Sequence, residues 1–133
     1  MSRIPGLAAA LDGFGPFVAF RALDQRPVVI FRRDDRLTAT DAPDSVRKKC
    51  HHKAFLVELR ADTLYRIDMT STSLDPYLRL EDEAGKMLAE DDDGGGNLNA
   101  RIFFNPRRAG SYRIFATTFP DKETGTFLLT IQH

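Results

Sequence analysis

From about Leu37 onward, apolar and polar residues alternate along the chain with a period of two. Phe55, Val57 and Leu59 alternate with Leu56 and Glu58, and Tyr65, Ile67 and Met69 with Arg66 and Asp68. Leu74, Leu78 and Leu80 share one face, with Tyr77 and Arg79 on the other. Ile102 and Phe104 oppose Phe103 and Asn105; Tyr112, Ile114 and Ala116 oppose Arg113 and Phe115; Phe127, Leu129 and Ile131 oppose Thr126, Leu128 and Thr130. Successive side chains of a strand point to opposite faces, so this period predicts half-buried strands. Turn chemistry separates the runs. Glu83-Ala84-Gly85-Lys86 reads as a tight hairpin with glycine in the left-handed position, and loops fall at 106–110 and 120–125. The expected fold is all-β, an antiparallel β-sandwich or jelly roll of about eight strands. Its expected core is Phe55, Val57, Leu59, Tyr65, Ile67, Leu78, Leu80, Ile102, Phe104, Tyr112, Ile114, Phe127, Leu129 and Ile131.

Residues 1–35 read differently, as an N-terminal arm preceding a domain over 36–133. Pro5, Gly6, Gly13, Gly15, Pro16 and Pro27 punctuate the arm, and Phe14, Phe17 and Phe20 recur at a spacing that suits a short helix or turn. Val28-Val29-Ile30-Phe31 is too apolar to leave in water as one patch. It either adds a strand to the sandwich or pairs with another copy of the chain, making a homo-oligomer through the arm.

Composition narrows the function classes. One domain of 133 residues buries an ordinary core without metals or disulfides. Lysine plus arginine total 19 and so do the acids, a formal net charge of zero. No general affinity for nucleic acid or anionic lipid follows from that balance. A single cysteine, Cys50, makes an intrachain disulfide impossible. No apolar run approaches the ~20 residues that span a bilayer, so no membrane insertion is expected. The GLAAAL run after Arg3 is shorter than the roughly 7–15 apolar residues of a signal-peptide core, and no targeting signal is read.

Candidate chemistry concentrates after Leu88. Asp91, Asp92 and Asp93 run into Gly94, Gly95 and Gly96, then Asn97 and Asn99. Calcium takes about six to eight oxygens from carboxylates, amides and carbonyls on a flexible loop. These five residues supply such oxygens, and Asp75 could approach from a neighbouring strand. The loop is not an EF-hand: with Gly96 at the turn position, Ile102 stands where a bidentate glutamate is needed. The alternative is a hairpin loop whose Asp and Asn side chains cap their own backbone, with Arg101 paired to one of the acids.

Other constellations are weaker. Cys50-His51-His52 offers at most Cys50 and His52 on one strand face, too few ligands for zinc, and reads as exposed residues at a strand start. No serine sits in a Gly-x-Ser-x-Gly turn, and nothing completes a triad around Cys50 despite Lys48 and Lys49, so catalysis is not expected. Tyr77, Phe103, Phe115 and Phe119 face outward on this assignment. Such aromatics make a face for sugar or protein, or one covered by the arm's own phenylalanines.

Over 37–132, the ordered pieces Leu37-Thr38-Ala39-Thr40-Asp41, Phe55-Leu56-Val57-Glu58-Leu59, Thr63-Leu64-Tyr65-Arg66-Ile67-Asp68, Leu74-Asp75-Pro76-Tyr77-Leu78-Arg79-Leu80, Asp91-Asp92-Asp93, Asn99-Ala100-Arg101-Ile102, Gly110-Ser111-Tyr112-Arg113-Ile114 and Gly125-Thr126-Phe127-Leu128-Leu129-Thr130-Ile131 together resemble the bacterial pre-peptidase C-terminal (PPC) domain family. One departure is Asp62-Thr63, where that family usually has Ala-Gly. The resemblance implies a compact β-sandwich appended to secreted peptidases and other extracytoplasmic proteins, non-catalytic itself. It implies a module that stabilises a partner or targets a protein or polysaccharide surface, in some relatives with calcium. Of the family's ligand positions, only the acidic loop carries over.

Overall fold

A computed structural model describes residues 26–133 of the chain. They form eight strands: β1 (Val29–Leu37), β2 (Lys53–Leu59), β3 (Tyr65–Thr70), β4 (Pro76–Asp82), β5 (Met87–Asp91), β6 (Ala100–Phe104), β7 (Gly110–Thr118) and β8 (Gly125–Gln132). No helix occurs among the described residues. The short helix or turn expected around Phe14, Phe17 and Phe20 lies outside them. Every strand pairing is antiparallel, in two four-stranded sheets ordered β1-β8-β3-β6 and β2-β7-β4-β5. The result is the expected β-sandwich.

Alternation decides which residues fill the space between the sheets. In β2 the pattern of Phe55, Val57 and Leu59 inward and Ala54, Leu56 and Glu58 outward is strict. Ile67, Leu78, Leu80, Ile114, Leu129 and Ile131 are wholly buried, joined by Met69, Ala100 and Ala116. Phe104 is the one expected core residue only partly buried, because it ends β6, an edge strand, and packs edge-on against Tyr112 at 5.3 Å between ring centroids. The Tyr112 hydroxyl donates to the Arg108 carbonyl at 2.6 Å and ties the preceding loop to the core.

The apolar run before the acidic part of the arm joins the sandwich as β1. It pairs with β8 over its whole length, through Asp35 and Arg36, with an irregularity between Val29 and Phe31. Val28 and His133 exchange both backbone hydrogen bonds, at 2.8 and 3.0 Å. The hairpin at 83–86 forms as the sequence predicts. Gly85 has φ of +87°, the Gly85 N–H donates to the Asp82 carbonyl, and the Asp82 carboxylate accepts from Ala84 and Lys86 N–H.

Residues 38–52 form a long irregular segment laid over the outer face of the β2-β7-β4-β5 sheet. Thr117 donates its hydroxyl to the His51 carbonyl at 2.6 Å, and Lys122 N–H donates to the Lys49 carbonyl at 2.8 Å. The Arg47 side chain donates to the carbonyls of Thr118 and Phe119, and Cys50 Sγ to that of Pro120. Cys50 is therefore buried, not exposed at a strand start. That expectation fails because the segment has no period of its own, and its burial comes entirely from distant partners.

Candidate functional site

Among the clusters of charged groups outside the apolar core, three bear on a candidate site. The most buried sits under residues 38–52. Period two turns Arg79 away from the core, as the sequence predicts, yet its side chain has no exposure, and neither has that of Asp44. Two Arg79 nitrogens donate to the two Asp44 oxygens at 2.7 and 2.8 Å, while Nε donates to Glu81 at 2.8 Å. The guanidinium lies 4.2 Å from the Phe115 ring centroid. Asp44 also accepts the N–H groups of Val46 and Arg47, closing the turn that follows it. Burial alone would push the Asp44 carboxyl up; the Arg79 hydrogen bonds and the Arg47 N–H outweigh it and hold the group below the usual carboxylate range. For Arg79 the desolvation that would lower its value is outweighed by Asp44 and Glu81, and the guanidinium stays charged. Sequence reasoning missed this cluster. Its one signal is an arginine between leucines in Leu78-Arg79-Leu80.

On the outer face of the other sheet, Asp68 stands between two arginines. Arg66 Nε donates to one oxygen at 2.8 Å and Arg101 Nε to the other at 2.6 Å. The expected pairing of Arg101 with the acidic loop is thus corrected. Strand register sets Arg101 directly opposite Asp68, and a cross-strand partner wins over a loop partner. The Arg101 backbone N–H does reach that loop, donating to Asp91 at 2.9 Å.

The third cluster is the acidic loop between β5 and β6. Asp91 turns back into the loop: one carboxylate oxygen accepts the N–H groups of Gly94 and Arg101. A Cβ on Gly94 would stand 2.9 Å from that carboxylate, so a side chain there would push the Asp91 carboxylate aside. The loop tip is a two-residue turn with Asn97 and Leu98 both at positive φ, bracketed by the Gly96–Asn99 bridge. Asn99 Oδ1 accepts from Ser71 N–H at 3.1 Å. Asp91 and Asn99 thus serve as backbone caps.

Asp75 comes to the same end of the sandwich from the start of β4. Its N–H donates to Glu123 Oε1 at 2.7 Å, and its carbonyl accepts from Phe119. Its carboxyl is raised, first by burial and then by the charges of Glu123, Asp92 and Asp93. The charges of Asp92 and Asp93 thus reach Asp75 across the end of the sandwich. No three His, Cys, Asp or Glu side chains among the described residues converge as a set of metal ligands.

Beside this acidic end lies an aromatic platform. The Arg47 guanidinium stacks 4.3 Å from the Tyr77 ring centroid and 5.2 Å from that of Phe119. The Tyr77 hydroxyl donates to Glu90 at 2.5 Å; burial and that contact push its pKa up to about 12. Val46 and Phe119 remain about half exposed, at 55% and 49%. Tyr77 and Phe115 are covered by Arg47 and by Arg79 with His52 respectively, whereas Phe103 faces solvent on the opposite sheet. The cover on this face comes from residues 38–52; of the arm's phenylalanines, Phe31 packs edge-on against Phe55 at the core, and Phe14, Phe17 and Phe20 lie outside the described residues. Compared with known proteins, the chain matches no family model, no curated protein and no solved structure.

Proposed function

We propose that this chain is a non-catalytic accessory module, similar in kind to a PPC domain, that docks an extracytoplasmic partner onto a protein or polysaccharide surface. The observation that carries the reading is the platform of Arg47, Tyr77 and Phe119. Arg47 is fixed at once by two carbonyls and two rings, so the surface is preorganised and loses little side-chain freedom on binding. Phe119, about half exposed beside the half-buried Arg47 and Tyr77, is the kind of aromatic side chain that anchors protein and carbohydrate contacts. The most buried charges, Asp44, Arg79 and Asp68, are committed to one another or to neighbouring strands, a structural use of charge. The test is co-sedimentation of the full chain with insoluble fibrous proteins and insoluble polysaccharides. Retention that Phe119→Ala abolishes without lowering the melting temperature supports the reading; no retention on any polymer sinks it.

A second reading is calcium-dependent binding at the acidic end. The raised carboxyl of Asp75 favours it, since the charges of Glu123, Asp92 and Asp93 act on it and a nearby divalent cation would offset them. Calcium should then raise the melting temperature of metal-stripped protein, and magnesium much less. A flat response at millimolar calcium rejects it.

A further inference from the structure

Among the described residues, β1 pairs on one side only, with β8; on its other edge the Arg36 N–H is held by the Asp35 carboxylate and the Arg36 carbonyl by Lys53, and the backbone groups of Arg32 and Asp34 have no strand partner. It is nine residues long and mostly exposed. Val28, Val29 and Ile30 at its beginning are 50%, 55% and 42% exposed. A long open edge with an apolar end is a template for another strand. The charges along it decide which strand fits. Arg32 and Asp34 stand two residues apart on one face with opposite signs, so a second copy of the strand run antiparallel can match each with its opposite.

We propose that a second copy of this chain adds across the β1 edge, joining two four-stranded sheets into one eight-stranded sheet about a two-fold axis at Arg33. In an antiparallel pair, hydrogen-bonded and non-hydrogen-bonded positions alternate. A two-fold perpendicular to the sheet must therefore pass through a residue paired with its own copy. With the axis at Arg33, Arg32 faces Asp34 of the second copy and Asp34 faces its Arg32. Arg32 and Asp34 share the outer face of the sheet, 3.6 Å apart within one strand, so four charges form a checkerboard with opposite signs across every contact. Phe31 meets Asp35 at both ends of the regular stretch. Moving the axis to Asp34 sets Arg32 against Arg36 twice and Asp34 against itself. Moving it to Asp35 leaves the apolar beginning of the strand unpaired.

The Arg33 axis sets one like-charged pair against itself. Each Arg33 guanidinium lies 5.4 and 5.3 Å from the Phe31 and Phe55 ring centroids on the inner side, and Asp35 flanks it. The irregularity at Ile30 leaves 31–35 as the regular centre of the new ladder. An interface of one strand pair belongs with small, exchanging contacts rather than obligate ones.

Sedimentation velocity of the full chain, from about 10 µM to about 1 mM, reads this association. The wild type should shift from monomer to dimer with concentration, and less so at high salt, which screens the checkerboard. Arg32→Asp alone and Asp34→Arg alone should each weaken the dimer tenfold or more. The combined Arg32→Asp and Asp34→Arg variant should recover it, because the checkerboard is rebuilt with signs reversed. Circular dichroism melting of all three variants shows whether the fold is kept. A wild type that stays monomeric throughout overturns the proposal, as does a dimer indifferent to the single swaps. A combined variant that folds but does not recover overturns the register.

Discussion

Arg79 grips both oxygens of Asp44 at 2.7 and 2.8 Å in a place that neither side chain shares with solvent. This contact joins residues 35 positions apart and fastens an irregular segment to a sheet. Taking one partner away strands a buried charge, which costs about 3–5 kcal/mol. Asp44→Ala should therefore destabilise strongly in urea unfolding. Replacing Asp44 and Arg79 together by Leu and Met should recover most of that loss, because a well-packed apolar pair is often neutral or better. Equal damage from the single and combined changes would show that the segment is held elsewhere.

The pH response should have two opposed parts. Asp44 has a lowered folded value, so in acid the unfolded chain takes up the proton first. Its contribution is complete above the ordinary value near 3.8 and disappears as pH falls through the folded value. Asp75 behaves oppositely, its value raised by burial and by Glu123, Asp92 and Asp93. Its stabilising share is present below 3.8 and is lost as pH rises through the raised value. Melting temperature followed from neutral pH downward should thus rise slightly as Asp75 takes up its proton and then fall below the ordinary carboxylate value as Asp44 takes up its own. Asp75→Asn should raise the neutral-pH melting temperature and leave the acid limb in place.

Ile114 and Leu129 have no exposure and face each other's sheets across the core. Truncating either to alanine should cost about 2–5 kcal/mol, the range for wholly buried aliphatic residues. Denaturant midpoints at constant m-value measure it.

Within the acidic loop, residues divide by what their side chains already hold. Asp91→Ala releases the N–H groups of Gly94 and Arg101 and should cost about 1 kcal/mol, the value of a lost cap. Asp92→Asn with Asp93→Asn should leave stability unchanged or slightly higher without calcium, since it dilutes the charge around Asp75. If calcium binds, that variant should lose its calcium response on isothermal titration.

Much of this architecture was legible in the alternation of side chains. Phe55, Val57 and Leu59 name their own face, and so do Tyr112, Ile114 and Ala116. Period two gives a direction but not what lies in that direction. Arg79 points away from the core and is still buried, because residues 38–52, which have no period, lie over it. Cys50, within that segment, is buried where its thiol meets the Pro120 carbonyl. Arg101 was assigned to its sequence neighbours, whereas the β3–β6 register, a long-range property, gives it to Asp68. At the acidic loop, the sequence supplied the oxygens and the nearness of Asp75. It could not supply their directions, and Asp91 and Asn99 turn theirs toward backbone N–H groups.

The paired ends of the sandwich have a consequence for chain connectivity. Val28 and His133 exchange hydrogen bonds as direct neighbours, so the first and last strands need no long connection to be joined. In a chain cut to residues 28–133, a few-residue linker from His133 to Val28, with new ends opened at Glu83 and Ala84, should give a circular permutant that keeps the strand pairs of the described residues. The exposed 83–86 hairpin is the kind of site where such cuts are tolerated. The order in which the strands are synthesised would change while their neighbours stay the same.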